Sequence, residues 1–203
     1  MGMQEMRGWG FYGTRDLQVV PYMPGTPVFL DGMYLHLYSR TKEEGNIANT
    51  FCGENKDFGQ FVSYFEKLRT MQVCCEIAEG GKLIPVGFTW VVNPAGVDGA
   101  RLAQPGMCFF GGAGKRGTAR SLAKLALAYA CCDLRIDVLL GEQVYDNYAA
   151  RNFALRLGFK EVAHVPNRHV IDGKFRDGRV VMLTAKEFMP EFYKWKEQQP
   201  KVT

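Results

Sequence analysis

Asn147-Tyr148-Ala149-Ala150-Arg151-Asn152-Phe153-Ala154-Leu155-Arg156-Leu157-Gly158-Phe159 is the stretch of this 203-residue sequence whose reading decides the fold. Asn147 is placed to cap a helix, because its side-chain oxygen can accept from a backbone N–H that the first turn leaves without a partner. Ala150, Phe153 and Leu157 recur at helical spacing and predict one buried face. Gly158 then supplies the left-handed turn that stops the helix and releases the chain into a strand. Ile136 to Leu140, just upstream, is a short apolar run suited to a buried strand.

Working outward, Gly111-Gly112-Ala113-Gly114-Lys115-Arg116-Gly117 joins a strand expected over about Met107 to Phe110 to the helix-forming run SLAKLALAYA, which ends near Cys132-Asp133. Further upstream, QVCCEIAE, Gly80-Gly81 and KLIPVGFTWVV predict a tight hairpin. Downstream, strands over about Glu161 to Ile171 and Arg179 to Thr184 are joined through Asp172-Gly173, and a short amphipathic tail carries Phe188, Phe192 and Trp195. The order βββ-α-β-α-ββ is that of a mixed α/β domain. Sheets of this kind leave a gap between diverging strands, where ligands enter.

The opening third reads less clearly. Trp9, Phe11, Tyr12, Tyr22 and Phe29 are scattered among Gly and Pro with neither helical nor strand period, so residues 1–32 are expected to be irregular. Met33 to Arg40 reads as a strand. Asp57 is a candidate cap for a helix over Phe58 to Arg69, whose Phe58, Phe61, Val62 and Phe65 share a face.

The composition, 47% apolar and 23% charged, is that of one globular domain spanning residues 1–203 and excludes a disordered or collagenous chain. No run reaches the 18 or so apolar residues of a membrane helix. The N-terminus also lacks a charged segment followed by an apolar one, so a soluble, cytoplasmic protein without membrane partners is expected. The six cysteines, Cys52, Cys74, Cys75, Cys108, Cys131 and Cys132, form no C-x-x-C knuckle, so neither a metal site nor a disulfide framework is expected. Residues 151–203 carry 11 Lys/Arg against 6 Asp/Glu within a net charge of +4. That bias is modest and reads as a solvated face, which disfavours nucleic acid as a partner.

The glycine loop opens a helix, where free N–H groups and the helix dipole favour an anion, above all a phosphate. A P-loop needs Gly-Lys-Ser/Thr at its end, but Gly117 is followed by Thr118-Ala119, so nucleoside-triphosphate chemistry is excluded. Gly112-x-Gly114-x-x-Gly117 does satisfy a dinucleotide fingerprint, with Glu142, just past the next expected strand, as a ribose-binding acid. Against that reading, the loop follows a long β region instead of opening the domain.

The Asn147–Phe159 stretch resembles the corresponding helix of the GCN5-related N-acetyltransferases (GNAT superfamily). EGGKLIPVGFTWVV resembles that family's hairpin, and GKRGTA, Gly114 to Ala119, is similar to its Arg/Gln-x-x-Gly-x-Gly/Ala loop. The ending LGFKEVAHVPNRHVIDGKFRDGRVVMLTAKEF is similar to the branch that holds the ribosomal-protein N-terminal acetyltransferases. The likeness covers about residues 71–185. It implies a mixed, mostly antiparallel central sheet flanked by helices, with acetyl-CoA as co-substrate and no metal. Its pantetheine and carbonyl would be held near Cys108, Phe109 and Phe110, and its diphosphate on Gly114, Lys115, Arg116, Gly117, Thr118 and Ala119. Asn147 and Ala150 would complete the coenzyme site.

Two departures stand out. Gly114 replaces the usual Arg/Gln, and Ala154 replaces the family's frequent tyrosine acid. Glu142 is therefore the candidate general base, with Tyr145 and Tyr148 as candidate replacements for the acid. Cys108, on an apolar run with no histidine nearby in sequence, reads as core and not as a nucleophile. His36, on the expected strand, reads as structural, while His164 and His169 would face the acceptor. The resulting expectation is an acyl-CoA-dependent N-acyltransferase acting by direct attack of an amine, from a small molecule, a protein N-terminus or a lysine. An NAD(P)-dependent oxidoreductase and a non-catalytic binding or assembly protein are the alternatives, and a homodimer is left open.

Overall fold

A computed structural model describes residues 12–22, 32–44, 57–68, 70–97, 100–111 and 117–200. The elements run β1 (Leu17–Pro21), α1 (Met33–Glu43), α2 (Phe58–Leu68), β2 (Gln72–Ile77), β3 (Leu83–Val97), β4 (Ala100–Phe109), α3 (Thr118–Cys132), β5 (Val138–Val144), α4 (Tyr148–Leu157), β6 (Lys160–Ile171), β7 (Lys174–Thr184) and α5 (Ala185–Glu197). The strands form a seven-stranded sheet in the order β1-β2-β3-β4-β5-β7-β6. Every pairing is antiparallel except β4–β5. The fold is thus mixed α/β with a mostly antiparallel sheet, as the sequence predicts.

Helices cover both faces of the sheet, and strand alternation decides which side chains meet them. On one face, Leu122, Leu125 and Leu127 of α3 and Phe188 and Phe192 of α5 join Val19, Val91, Leu139 and Val181. On the other, Leu37 and Tyr38 of α1 and Phe61 and Phe65 of α2 join Val73, Phe88, Trp90 and Cys108. The adjacent Cys74 and Cys75 fall on opposite faces, one in each cluster, which is what a period of two requires. Burial pushes the Cys75 thiol up to about 12 and the Cys74 thiol in the same direction, so both behave as apolar core. The five described cysteines form no disulfide, and Cys52 lies outside the described residues.

The expected strand over Met33 to Arg40 is a helix, α1. Leu35 and Leu37 alternate with polar residues, but Leu35 is 53% exposed and the buried set is Leu37, Tyr38 and Thr41, a helical face. Packing against α2 overrides the local pattern. Tyr38 meets Phe58 and Phe61 at ring distances of 5.5 Å each. His36 therefore sits on a helix, with its ring 6.3 Å from Phe110. The helix expected from Asp57 onward is present, with Asp57 Oδ1 accepting from the Gln60 N–H at 2.9 Å.

The strand expected at Met107 begins earlier, at Ala100, and its hairpin with β3 runs out to Val97–Ala100. Glycines and prolines between Asn93 and Gly106 conceal it, because both are depleted from strands in general. The amphipathic tail is α5, and Thr184 caps it as a threonine at a helix start can. The Thr184 hydroxyl oxygen accepts from the Glu187 N–H at 3.2 Å. Of the irregular region expected over 1–32, residues 1–11 and 23–31 lie outside the described set, while Leu17–Pro21 is an edge strand paired with β2.

Candidate active site

The one parallel pair in the sheet builds the site. β4 and β5 are joined only at Leu102–Val138 and Ala103–Leu139. Beyond those pairs each strand stays with its outer neighbour, β4 with β3 as far as Gly87–Phe109 and β5 with β7 as far as Val144–Gly178. The two inner edges therefore separate while both strands remain ordered. Backbone N–H and C=O groups that neither strand can give to the other face the gap, and such groups require partners.

The gap opens into a cleft of about 730 Å³, within the size range of sites for extended small ligands. Its β4 wall is Pro105 to Gly111, its β5 wall Gly141, Glu142 and Gln143, and α4 closes it with Asn147, Ala149, Ala150, Phe153 and Ala154. Ala119 of α3 and Glu44, at the end of α1, complete the rim. At the far end, α3 begins at Gly117, whose φ of 72° lies in the left-handed region and which offers no side-chain cap. The first intrahelical bond is Ser121 N–H to Gly117 O, so the N–H groups of Thr118, Ala119 and Arg120 stand free of the helix's own carbonyls, a ready anion site.

α4 is made as its sequence predicts. Asn147 Oδ1 accepts from the Ala150 N–H at 3.1 Å, and Gly158 ends the helix at a φ of 99°. Gln143 on β5 donates from Nε2 to Ala150 O at 3.2 Å, while its Oε1 is buried without a partner among the described residues. The Glu44 carboxylate accepts from the Gly111 N–H at 2.6 Å and lies 3.3 Å from Arg40 Nη2, tying the end of α1 to the end of β4.

Glu142 projects into the cleft from β5 and is held by Arg168, whose Nε and Nη2 donate to its two oxygens at 2.5 and 3.1 Å. His169 Nε2 lies 3.6 Å from the same carboxylate. His164 instead pairs with Asp177 at 2.7 Å. The Asn167 N–H and the His164 ring together hold the Asp177 carboxyl below the usual carboxylate range.

Of the residues singled out in the sequence, the cleft gathers Cys108, Phe109, Phe110, Ala119, Glu142, Asn147 and Ala150. Gly117 and Thr118 form the adjoining helix start, and Gly114, Lys115 and Arg116 lie outside the described residues. Cys108 also belongs to the core under α1, with its sulfur 3.8 Å from Thr41 Oγ1.

The two tyrosines do not line the cleft. The Tyr145 ring is stacked between His164, 4.3 Å away, and the Arg179 guanidinium, 4.4 Å away. Tyr148 is 63% exposed on the first turn of α4. Ala154, by contrast, does line the cleft, so a methyl group stands where the resemblance would place a tyrosine. Sequence reading did not single out Glu44 and Gln143, which line the cleft from two separate elements, or Arg168, which holds Glu142 from a third. No spacing along the chain signals them. Among the described residues, no group of His, Cys, Asp and Glu is arranged to hold a metal ion, and no helix is long and apolar enough to cross a membrane.

No family model matches the sequence, and no curated protein sequence matches it. Solved structures do. A GNAT-family acetyltransferase from Bacillus anthracis superposes with a TM-score of 0.65 at 12% identity, over 85% of this chain and 97% of that one. The spermidine N-acetyltransferase of Vibrio cholerae, solved with CoA and spermine, gives 0.66 at 16% identity over 85% and 98%. A GCN5-related N-acetyltransferase from Brucella melitensis gives 0.65 at 16% identity over 89% and 82%. At such identities the likeness is one of fold.

Proposed function

We propose that this chain, whose fold is that of the GCN5-related N-acetyltransferases, is an acetyl-CoA-dependent N-acetyltransferase acting by direct attack of an amine on the thioester. The observation that carries the reading is the cleft between diverging β4 and β5, with the uncapped start of α3 at one end and a carboxylate, Glu142, on its wall. When bound, acetyl-CoA supplies the acyl group as an activated thioester.

The chain's own groups fit that co-substrate. The N–H groups of Thr118, Ala119 and Arg120 suit a diphosphate, and the unpaired β4 edge from Gln104 to Phe109 suits the amides of an extended pantetheine arm. Phe109, Phe153 and Ala154 exclude water around a thioester. Glu142 takes the proton that the attacking amine must lose.

No tyrosine hydroxyl reaches the cleft among the described residues, so the thiolate leaves unaided or to water. Tyr145→Phe and Tyr148→Phe are therefore expected to keep activity within about 10-fold, below the roughly 10²-fold at which general-acid effects begin. Ala154→Tyr is expected not to raise it, since the position lines the cleft and a ring there takes space that the thioester needs. Steady-state rates with coenzyme affinity measured in parallel check this; a loss beyond roughly 10³-fold in either Phe variant would restore a tyrosine acid.

The oxidoreductase alternative is not favoured, because a dinucleotide fold needs a parallel sheet and this sheet has one parallel pair. Thermal unfolding with acetyl-CoA, CoA, NAD and NADP tests the proposal. A ligand that binds only the folded chain raises its midpoint by mass action, adding ~2.7 kcal/mol to the unfolding free energy at about 100 times its Kd. Acetyl-CoA and CoA should shift it and NAD(P) should not; the reverse pattern overturns the reading. CoA binding without turnover of any amine would favour the binding-protein alternative.

A further inference from the structure

Arg168 and His169 are neighbours in β6, and in a regular strand adjacent side chains point to opposite faces. Here both reach Glu142 on β5, across the intervening β7: Arg168 through two hydrogen bonds and His169 from 3.6 Å. The register of β6 against β7 shifts between Val165 and His169, and within the shift Asn167 stands at a φ of 54°. Asparagine is one of the few residues besides glycine that adopt this left-handed conformation. Asp177 secures it, its Oδ1 accepting from the Asn167 N–H at 3.0 Å. Gly178 of β7 makes room beneath: a Cβ there would meet Arg168 Cβ and Cγ at 2.8 Å and His169 Nε2 at 3.2 Å. An irregular strand, a left-handed asparagine and a glycine thus combine to bring two adjacent residues onto one carboxylate.

The two differ in exposure. The Arg168 side chain is 54% exposed and His169 only 7%, with Glu142 between them at 18%. His169 Nε2 is buried and has no hydrogen-bond partner among the described residues, and the nearest carboxylate oxygen is Glu142 Oε1. A buried ring nitrogen without a partner is costly in an ordinary core, but is what a site looks like before its carboxylate shifts.

We propose that His169 is a positioning residue for Glu142: its Nε2–H fixes one oxygen of the carboxylate while Arg168, the exposed partner, gives way to the acceptor amine. Arg168 holds the place of the acceptor's cation on Glu142, and His169 keeps the carboxylate aimed into the cleft once that guanidinium leaves. The proposal rests on the acetyltransferase reading for the identity of the acceptor, while the His169–Glu142 contact stands apart from it.

The experiment has two arms on the full chain. In the first, ¹⁵N-histidine spectra report which ring nitrogen of His169 carries hydrogen. A proton on Nε2 is expected, and a neutral ring protonated on Nδ1 alone overturns the proposal. In the second, release of free CoA from acetyl-CoA is followed with a simple primary alkylamine at high concentration as the acceptor, because a cationic amine is what displaces Arg168 from Glu142.

His169→Leu is expected to lower kcat by about 10-fold, the scale of one charge-assisted hydrogen bond, with the KM for acetyl-CoA held within about threefold. His169→Gln, which keeps an N–H donor, should recover most of the loss. In a Glu142→Gln background, His169→Leu should cost nothing more. Equal loss in both His169 variants, or a loss that adds in full to that of Glu142→Gln, shows a merely structural histidine. If acetyl-CoA gives no binding heat with the unaltered chain, the acetyltransferase reading fails, and the tautomer still decides the contact.

Discussion

Replacing Gly117 by aspartate is expected to weaken acetyl-CoA binding by far more than 10-fold, a loss well above about 1.4 kcal/mol. Gly117 is the residue before the first turn of α3, with a φ of 72° and no side chain to cap the N–H groups behind it. Aspartate tolerates the left-handed region better than most residues, and at a helix start its carboxylate accepts the same N–H groups and complements the dipole. A side chain at this φ is strained, and the carboxylate's favourable place at the dipole offsets that strain, so the helix is expected to change little in stability. The diphosphate loses its donors and meets a like charge instead.

Stability and binding thus separate in one variant, which distinguishes a damaged fold from a blocked site. Calorimetric titration with acetyl-CoA beside a thermal melt reads both quantities. An affinity within threefold of the unaltered chain would show that the anion binds elsewhere.

The second large effect belongs to Glu142. Glu142→Gln is expected to lower turnover on the acceptor by roughly 10²-fold or more while leaving acetyl-CoA affinity within a few-fold. The substitution preserves shape and one oxygen, so contact with Arg168 persists in part, but a neutral amide cannot take a proton from an amine. The split between kcat and coenzyme affinity carries the test, because a residue that only lined the pocket would move both. Unchanged turnover with the true acceptor would pass the role of base to water. Glu142 is the one carboxylate on the β5 wall, and the second carboxylate lining the cleft, Glu44, is committed to Gly111 and Arg40.

Local signals in the chain determined much of this architecture. Of the expected face of α4, Ala150 and Phe153 are partly buried and Ala154 joins Leu157 as buried, but Asn147 and Gly158 act over a few residues, so the cap and the stop of the helix follow from spacing alone. The same holds for the Gln72–Thr89 hairpin, the Asp57 cap of α2 and the helix after Gly117. The side of the cleft proposed for the coenzyme is built from one strand end and two helix starts, each a local feature, and its geometry was therefore legible.

The side proposed for the acceptor was decided only by tertiary structure. Met33–Glu43 carries an alternation that suits a strand, and it is a helix because Phe58 and Phe61 offer a surface for Tyr38. Tyr145 looked as near to the cleft as Glu142, yet it falls just past the end of β5, where contacts with the His164 ring and the Arg179 guanidinium hold it away. The contact of Glu142 with Arg168 spans 26 residues and depends on a register shift in β6 and on Gly178 in β7. Capping and helical periodicity are short-range interactions that a sequence displays directly, whereas the direction of a side chain across three strands depends on register and packing, which exist only once distant segments meet.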